Sequence, residues 1–305
     1  MAISSLKLKR LAAFLLLIGL VVAVQAYVGW GRLLQPWLAV PLPPMAAAVL
    51  LVICTYGLRA VRLYDFFAEE VRGRFPLAFK LMLQHNFFNN LLPARSGEVA
   101  FPVLMQRYFD VPLARSVPAL IWFRLLDLHT IALVGLWALG ALWLPPWAIL
   151  GLSLVWLSVP GWAWLLNNWL LRRISPHKGG LQGLLRKALE GSPRSSGMLF
   201  RAWSWTMVNW TVKLGVFAWV LALFVDVSLP GAVLGVFGGE LTSVLPIHGV
   251  AGAGTYEAGI VAALLPQGLD GESALGAAVN LHLFLLGVTL IGGAFSLVMG
   301  RSHGR

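Results

Sequence analysis

Charged residues and cysteine are both scarce in this 305-residue chain. Only 11% of the residues are charged and 59% are hydrophobic, with a mean hydropathy of +0.80, which is far from the composition of soluble globular domains. The low charge therefore excludes a soluble protein. The single cysteine, Cys54, excludes an internal disulfide framework and a metal site built from cysteines. What is abundant instead is apolar sequence, in runs long enough to cross a bilayer.

Basic residues outnumber acidic residues, which gives a formal net charge of +11. In a membrane protein the positions of lysine and arginine matter more than their total, because cytoplasmic loops carry the excess of both. Most of the basic residues fall in four groups, which we place in the cytoplasm together with both chain termini. We expect the membrane to be the bacterial cytoplasmic (inner) membrane. The groups lie within residues 7–10, 59–80, 172–201 and 301–305.

Six apolar segments have the length of membrane-spanning helices. They predict an all-α integral membrane protein, with one polytopic membrane domain over residues 1–305 and no room for a second soluble domain. A further segment, residues 180–190, gathers leucines on one helical face beside Arg186 and Lys187, which indicates a helix in the cytoplasmic headgroup layer. The six predicted spans are residues 11–30, 45–63, 116–144, 146–171, 199–224 and 274–299.

Two stretches that contain proline and glycine interrupt this pattern, at about residues 76–110 and 227–271. The charge pattern needs no further crossing there, so each stretch leaves and returns on one side, the first cytoplasmic and the second external. Non-helical backbone survives at membrane depth only where protein buries it or where it lines a wet cavity. We therefore predict two opposed re-entrant hairpins that form an inverted repeat around a transport site. The alternative is a pair of surface loops between kinked helices.

Each predicted hairpin contains a hydroxyl residue followed two positions later by a glutamate. We interpret Ser96 and Thr255 as the N-caps of two helices, with Glu98 and Glu257 in the first turn of each. A helix N-terminus presents free N–H groups and a positive dipole end, so it can hold a phosphate. Pro102 means that the first of these helices starts late or bends. The alternative is that both glutamates only satisfy their own helix starts.

An arginine and an aspartate, Arg124 and Asp127, lie three residues apart inside the third predicted span. One interpretation has Arg124 bind a substrate phosphate while Asp127 orients it or exchanges partners with Glu98. The other interpretation is an ion pair that fixes helix packing. Lys213 and Asp226 lie in or at the end of the fifth span, and we interpret both as side chains that reach the membrane interface.

These observations predict two overlapping sets of site residues. Acids in a low dielectric and a histidine can change charge, so the proton-coupling candidates are Glu98, Asp127, His248 and Glu257. The sequence has no metal-ligand spacing and no nucleotide-binding motif, so we expect neither a metal ion nor a cofactor. Glycines let backbone approach a headgroup closely, and the candidates for substrate binding are Arg95, Ser96, Gly97, Glu98, Arg124, Asp127, Gly252, Gly254, Thr255 and Glu257.

Three sets of residues resemble the flippase-like domain of lysylphosphatidylglycerol synthases and its stand-alone relatives: Asn90-Leu91-Leu92-Pro93 through Gly97-Glu98, Arg124 with Asp127, and Pro246 with the glycine-rich run to Glu257. The resemblance covers about residues 45–297. It implies an integral membrane protein that moves a phospholipid or a polyprenyl-phosphate-linked lipid between leaflets, here without the aminoacyl transferase domain. The chain departs from the family pattern at Ala251, which replaces a glycine, and at Phe101 and Pro102, where a basic residue is common.

Two other classes of function stay open. An intramembrane lipid-modifying enzyme would use the same acids as general acid and base, although the sequence offers no clustered aspartates for Mg²⁺ and no nucleophile arrangement. A non-transporting partner of a cell-envelope lipid synthase is the third possibility. We expect a transporter and not an enzyme, with an anionic headgroup lipid, the bilayer and either a second copy or such a synthase as partners, and no nucleic acid.

Overall fold

The computed structural model describes residues 5–92, 97–174, 180–244 and 250–299. All regular elements in these ranges are helical, and no strand occurs among them. The predicted all-α class is confirmed. The helices are α1 (Ser5–Tyr27), α2 (Trp30–Ala39), α3 (Leu42–Phe66), α4 (Ala68–Val71), α5 (Phe75–Leu91), α6 (Ala100–Phe109), α7 (Leu113–Gly140), α8 (Pro146–Arg173), α9 (Gly180–Leu189), α10 (Ser196–Phe224), α11 (Leu229–Val244), α12 (Thr255–Leu264) and α13 (Gly271–Val298).

Five of these helices are long and apolar enough to cross a membrane, namely α3, α7, α8, α10 and α13. They contain 25 to 29 residues, which exceeds the roughly 20 needed to span the hydrocarbon core. Each of them matches one of the predicted spans, and the chain is an integral membrane protein. The helix α13 begins at an N-cap, Asp270, whose carboxylate accepts hydrogen bonds from the N–H and hydroxyl of Ser273; these bonds lower the pKa of Asp270.

The first predicted span, residues 11–30, corresponds to α1, which ends at Tyr27 and meets α2 at an angle of 81°. Gly29 lies at the bend with φ of +78°, a left-handed conformation that favours glycine. The prediction treated residues 31–44 as a plain connection, whereas most of them form α2. Trp37 donates to the amide oxygen of Asn280 (2.8 Å), and the amide nitrogen of Asn280 donates to the carbonyl of Leu33 (2.9 Å). These two bonds hold α2 against α13.

Backbone contacts divide the chain into two compact units. The helices α3, α5 and α10 contribute residues to both units. The predicted single polytopic domain over residues 1–305 stays a prediction. The first unit comprises the described residues of Met1–Thr55, Leu83–Glu98 and Thr211–Gly300, and the second those of Tyr56–Met82 and Val99–Trp210.

The first unit contains a tight helical hairpin made by α11 and α12. A Cβ atom added at Gly238 would lie 2.3 Å from the carbonyl oxygen of Gly259, so the two backbones are in contact there. Gly235 faces the side chain of Leu264, and the two pairings show that the helices run in opposite directions. With 16 and 10 residues, neither helix reaches spanning length. This hairpin coincides with the second predicted stretch, and its entry into the membrane from the external side stays a prediction.

The first predicted stretch consists of α5, a 3₁₀ turn at residues 97–99, and α6. The helix α6 begins at Ala100, which places Pro102 in its first turn and confirms the expected late start. Its N-cap is Val99, so the interpretation of Glu98 as a residue of the first turn was wrong, and Glu98 lies in the 3₁₀ turn before the helix. A Cβ atom added at Gly97 would lie 2.4 Å from the backbone of Asn89, so only glycine fits there. The predicted re-entrant course and the inverted repeat stay predictions.

The second unit is built around α7, which packs against α6, α8 and α9. Its core contains an aromatic group in which the ring centroids of Phe66 and Phe123 lie 4.9 Å apart. The predicted helix at residues 180–190 is present as α9. Arg186 of α9 donates to the carbonyls of Leu171 and Ile174, and Asn167 donates to Ser192 just beyond α9. These bonds fasten α9 to the end of α8.

We expect Gly238→Ala to destabilise the α11–α12 hairpin, because the added methyl group collides with backbone that has no rotamer to relax. Overpacking of this kind costs about 1 to 3 kcal/mol. The midpoint of thermal unfolding in detergent measures the effect. Gly215→Ala on α10 is the matched control, since a Cβ atom there meets nothing within 4 Å. An equal midpoint for the two variants would show that the helices do not touch at Gly238.

Candidate functional site

The second unit holds a buried cluster of charges on α3, α7 and α10, which we call the arginine cluster: Arg59, Arg62 and Arg124 with Asp127. Asp127 is its centre. One carboxylate oxygen accepts from Arg62 Nη1 at 2.8 Å and from Trp210 Nε1 at 3.1 Å, and the other accepts from Arg124 Nη1 at 3.1 Å. The side chain of Asp127 is 7% exposed. Three helices are therefore joined through one carboxylate.

Helical spacing explains why these side chains meet. Residues three or four apart share a helix face, and each helix contributes one such pair. The pairs are Arg59 and Arg62 on α3, Arg124 and Asp127 on α7, and Thr206 and Trp210 on α10. Asp127 lies 14 residues after the start of the 28-residue α7, about 21 Å along its axis, which is the middle of that helix.

Three guanidinium groups of the second unit surround the one carboxylate of Asp127. Arg59 interacts electrostatically with Asp127 and with the other two arginines. Arg62 also donates to Thr206 Oγ1 at 2.7 Å and lies over the ring of Phe123, 4.5 Å from its centroid. Its Nε is buried without a hydrogen-bond acceptor among the described residues. Each guanidinium carries five N–H donors, so the cluster offers more donors than one carboxylate can satisfy.

A second group of buried polar side chains lies in the first unit, where α12 meets α13. Glu257 Oε1 lies 2.5 Å from His282 Nδ1, and the two side chains are 3% and 5% exposed. Glu257 Oε2 accepts from the N–H of Gly254 at 2.8 Å, and His282 Nε2 lies 2.9 Å from the carbonyl oxygen of Ala251. Residues 251–254 are thereby tied to both helices. We call these two side chains the glutamate–histidine pair.

The start of α12 differs from the predicted arrangement. Thr255 is the first helical residue, and the N-cap is Gly254, with φ of +85°. The hydroxyl of Thr255 turns back and donates to the carbonyl of Gly252 at 3.0 Å. The interpretation of Thr255 as an N-cap was therefore wrong. Glu257 does lie in the first turn as predicted, and its carboxylate satisfies the N–H of the N-cap residue.

A buried ion pair lies near the glutamate–histidine pair in the first unit. Lys213 Nζ on α10 lies 2.7 Å from Glu240 Oε2 on α11, with the two side chains largely buried. The interpretation of Lys213 as a side chain that reaches the interface was therefore wrong. Tyr256 lies within electrostatic range of Glu240 and Glu257, and its ring centroid is 4.8 Å from that of His282.

The predicted site residues divide between the two units. Gly97, Glu98, Gly252, Gly254, Thr255 and Glu257 belong to the first unit, and Arg124 and Asp127 belong to the second. Arg95, Ser96 and His248 lie outside the described residues. The predicted contact between Arg124 and Asp127 is present.

Sequence reasoning missed several residues that complete these clusters. The charge pattern places Arg62 with the cytoplasmic basic residues, although Arg62 also lies inside the predicted span of residues 45–63. Its position inside a span could have marked it as a candidate site residue. His282 in the last span offered the same signal, because an ionisable residue inside a span marks a candidate site. The indole of Trp210 and the hydroxyl of Thr206 gave no signal of this kind.

The long apolar helices and the charged side chains buried among them define a polytopic, all-α integral membrane protein. The chain belongs to the family of the lysylphosphatidylglycerol synthase TM region, whose model matches residues 10–293 of the 305. The protein is therefore a member of a lipid-related membrane family, and the predicted resemblance is confirmed. No curated protein and no solved structure matches the chain.

We expect Asp127→Asn to destabilise the second unit strongly, because three guanidinium groups lose the charge of the carboxylate that they share. Removing one partner of a buried ion pair typically costs about 3 to 5 kcal/mol. Thermal unfolding of the purified protein in detergent measures the change.

Asp65→Asn is the matched control for this experiment. Asp65 of α3 pairs with Arg201 of α10, so this pair joins two of the three helices that Asp127 joins. The side chain of Asp65 is 28% exposed and that of Arg201 is 54% exposed. Exposed pairs contribute about 0 to 1 kcal/mol. If both variants shifted the unfolding midpoint equally, Asp127 would not be the centre of a buried cluster.

Proposed function

We propose that the protein is a flippase that moves an anionic lipid, either a phospholipid or a polyprenyl-phosphate-linked lipid, between the leaflets of the membrane. The observation that carries the proposal is the arginine cluster around Asp127 at the middle of α7. Ionisable residues are costly in hydrocarbon, and those that persist there commonly mark the path of a substrate or ion. Membership of a lipid-related family supports a lipid as that substrate.

The chemistry of the cluster fits a phosphate group. The guanidinium group is a planar fork that binds carboxylate and phosphate oxygens in the same geometry. Asp127 accepts these donors in the present structure. A headgroup phosphate would compete with Asp127 for them, so the arginines pass from one anion to the other and stay paired throughout. Arg124 is the first to meet the lipid, because its side chain is 27% exposed whereas that of Arg62 is 8% exposed.

Proton coupling is part of the proposal, with Glu98 and Glu257 changing charge as access alternates between the leaflets. In the proposed cycle the two predicted hairpins are re-entrant, belong to an inverted repeat and enclose the headgroup path. Arg95, Ser96, Gly97, Gly252, Gly254 and Thr255 are proposed to line this path. The backbone N–H groups at the start of α12 support this role, since a helix N-terminus favours an anion.

We further propose where the protein acts and with what. The membrane is proposed to be a bacterial cytoplasmic membrane, and the groups of lysine and arginine support the placement of both termini in the cytoplasm. The proposed protein relocates its lipid without altering it and is not an enzyme. A second copy of the chain, or a cell-envelope lipid synthase that supplies the lipid, is its proposed protein partner.

Proteoliposomes with a fluorescent anionic phospholipid in one leaflet test the flippase. We expect Arg124→Gln to slow the leaflet exchange about tenfold or more, because a charge-assisted hydrogen bond contributes about 1.5 to 3 kcal/mol. Arg124→Lys keeps the charge and loses the fork, so its rate should lie between those of the parent and Arg124→Gln.

Arg201→Gln is the control, because Arg201 lies in an exposed pair on α10, outside the arginine cluster. It should exchange lipid at the parent rate. Mass spectrometry of the same vesicles separates transport from catalysis: unaltered lipid in the opposite leaflet agrees with the flippase, and a chemically changed lipid would refute it. Exchange no faster than in empty liposomes would also refute it.

A further inference from the structure

The glutamate–histidine pair closes a ring of hydrogen bonds around the turn that precedes α12. The ring runs from the carbonyl of Ala251 to His282, then to Glu257, and from Glu257 to the N–H of Gly254. His282 is the twelfth residue of the 28-residue α13, so the ring lies against the middle of that helix. The turn between the two ends of the ring contains Gly252.

The hydrogen bonds of this ring need two hydrogens on the side chains of His282 and Glu257. A carbonyl oxygen only accepts, so His282 Nε2, at 2.9 Å from the oxygen of Ala251, must carry a hydrogen. A neutral imidazole carries one N–H, which is then already used. The contact of 2.5 Å between His282 Nδ1 and Glu257 Oε1 therefore needs a second hydrogen. Without that hydrogen, a nitrogen lone pair would face a carboxylate oxygen, and the two would repel each other.

We propose that Glu257 and His282 together form the proton-binding site of the transport cycle, and that the present structure is its proton-loaded state. The loaded pair holds one hydrogen on Nε2 and one between Nδ1 and Oε1. Release of the second hydrogen to water leaves a neutral imidazole and a carboxylate. This inference rests on the proposed function, which it deepens by naming His282 as the group with which Glu257 shares the proton.

Within the described part of the chain, the charged and titratable groups that face the pair come from three helices. Tyr256 of α12 lies beside His282, and its hydroxyl has no hydrogen-bond partner among the described residues. Glu240 of α11 lies within electrostatic range of Tyr256 and is paired with Lys213 of α10. The helix α1 contributes the apolar Leu16 on the side of the turn. Since Lys213 balances Glu240, release of the proton leaves one net negative charge, which lies on the glutamate–histidine pair.

Proton release has a structural consequence at the turn. Ala251 has φ of +53°, a left-handed conformation that is unfavourable for a residue with a Cβ atom. In the loaded state the bond from His282 Nε2 holds its carbonyl in place. When Nδ1 and the carboxylate repel each other, His282 leaves the ring and Ala251 loses this bond. The start of α12, with its N–H groups, is then free to change its arrangement, which links the proton to the proposed headgroup path.

Glu257→Gln tests the pair while keeping the ring intact. The glutamine amide donates to Nδ1 and its oxygen accepts from the N–H of Gly254, so the variant copies the loaded state and cannot release the proton. In proteoliposomes, we expect lipid exchange by the parent to depend on pH, with the pair contributing a change of about tenfold per pH unit because it binds one proton. Glu257→Gln should lose the contribution of the pair, so its profile should be flatter than that of the parent by about tenfold per pH unit, and any remaining dependence belongs to other groups such as Glu98.

Glu272→Gln is the control on α13, because Glu272 pairs with Arg32 at an exposed position. It should keep the pH profile of the parent. The unfolding temperature of Glu257→Gln should equal that of the parent, which separates a lost proton from a lost fold. A parent-like pH profile in Glu257→Gln would overturn the inference about the pair. The proposed flippase would still stand in that case, because the lipid would still be exchanged between the leaflets.

A spectroscopic measurement tests whether Glu257 and His282 share a proton, and it needs no transport assay. In purified protein we expect an infrared carboxyl signal that is absent from Glu257→Gln and that changes over the same pH interval as the ¹⁵N resonances of His282. Separate pH intervals for the two groups, or the absence of this carboxyl signal throughout, would overturn the inference. A flippase assay without any exchange would refute the proposed function, and the spectra would still decide whether the pair holds a proton.

Discussion

The second unit depends on the compensation of charge around the carboxylate of Asp127. An isolated ion in an apolar helix bundle is strongly unfavourable, so Asp127 and its arginines are stable only in one another's presence. The requirement fixes the faces of α3, α7 and α10 that meet. The structure shows the ion pair that fixes helix packing, and binding of a substrate by the same groups stays part of the proposed function. The same donors serve both purposes if a headgroup takes the place of Asp127, as the proposed function requires.

The first unit depends on a different constraint. Its short helices α11 and α12 have ends with backbone N–H and C=O groups that need hydrogen-bond partners when they are buried. Contact between Gly238 and Gly259 brings α11 and α12 close enough to shield each other's backbone. At the start of α12 the carboxylate of Glu257 satisfies the N–H of Gly254, and His282 reaches the carbonyl of Ala251. The polar groups that make such a break tolerable inside the protein are also groups that can change charge.

Much of the helical framework could be predicted because membrane spans are a local property. An apolar run of sufficient length forms a helix regardless of its neighbours, and Arg124 and Asp127 meet because three residues separate them on one helix. Predictions failed where a backbone angle or a distant partner decided the outcome. Gly254 is the N-cap in place of Thr255 because its positive φ lets the chain turn into α12. Lys213 pairs with Glu240 and does not reach the interface.

By itself the sequence determined the class of protein, the main spanning helices and the family, since composition, the lengths of apolar runs and short motifs carry that information. Only the tertiary structure decided which side chains complete the clusters. Arg62 and Trp210 lie 65 and 83 positions from Asp127, and His282 lies 25 positions from Glu257. The physical reason is that helical periodicity defines the faces of each helix and contains no information about which faces pack together.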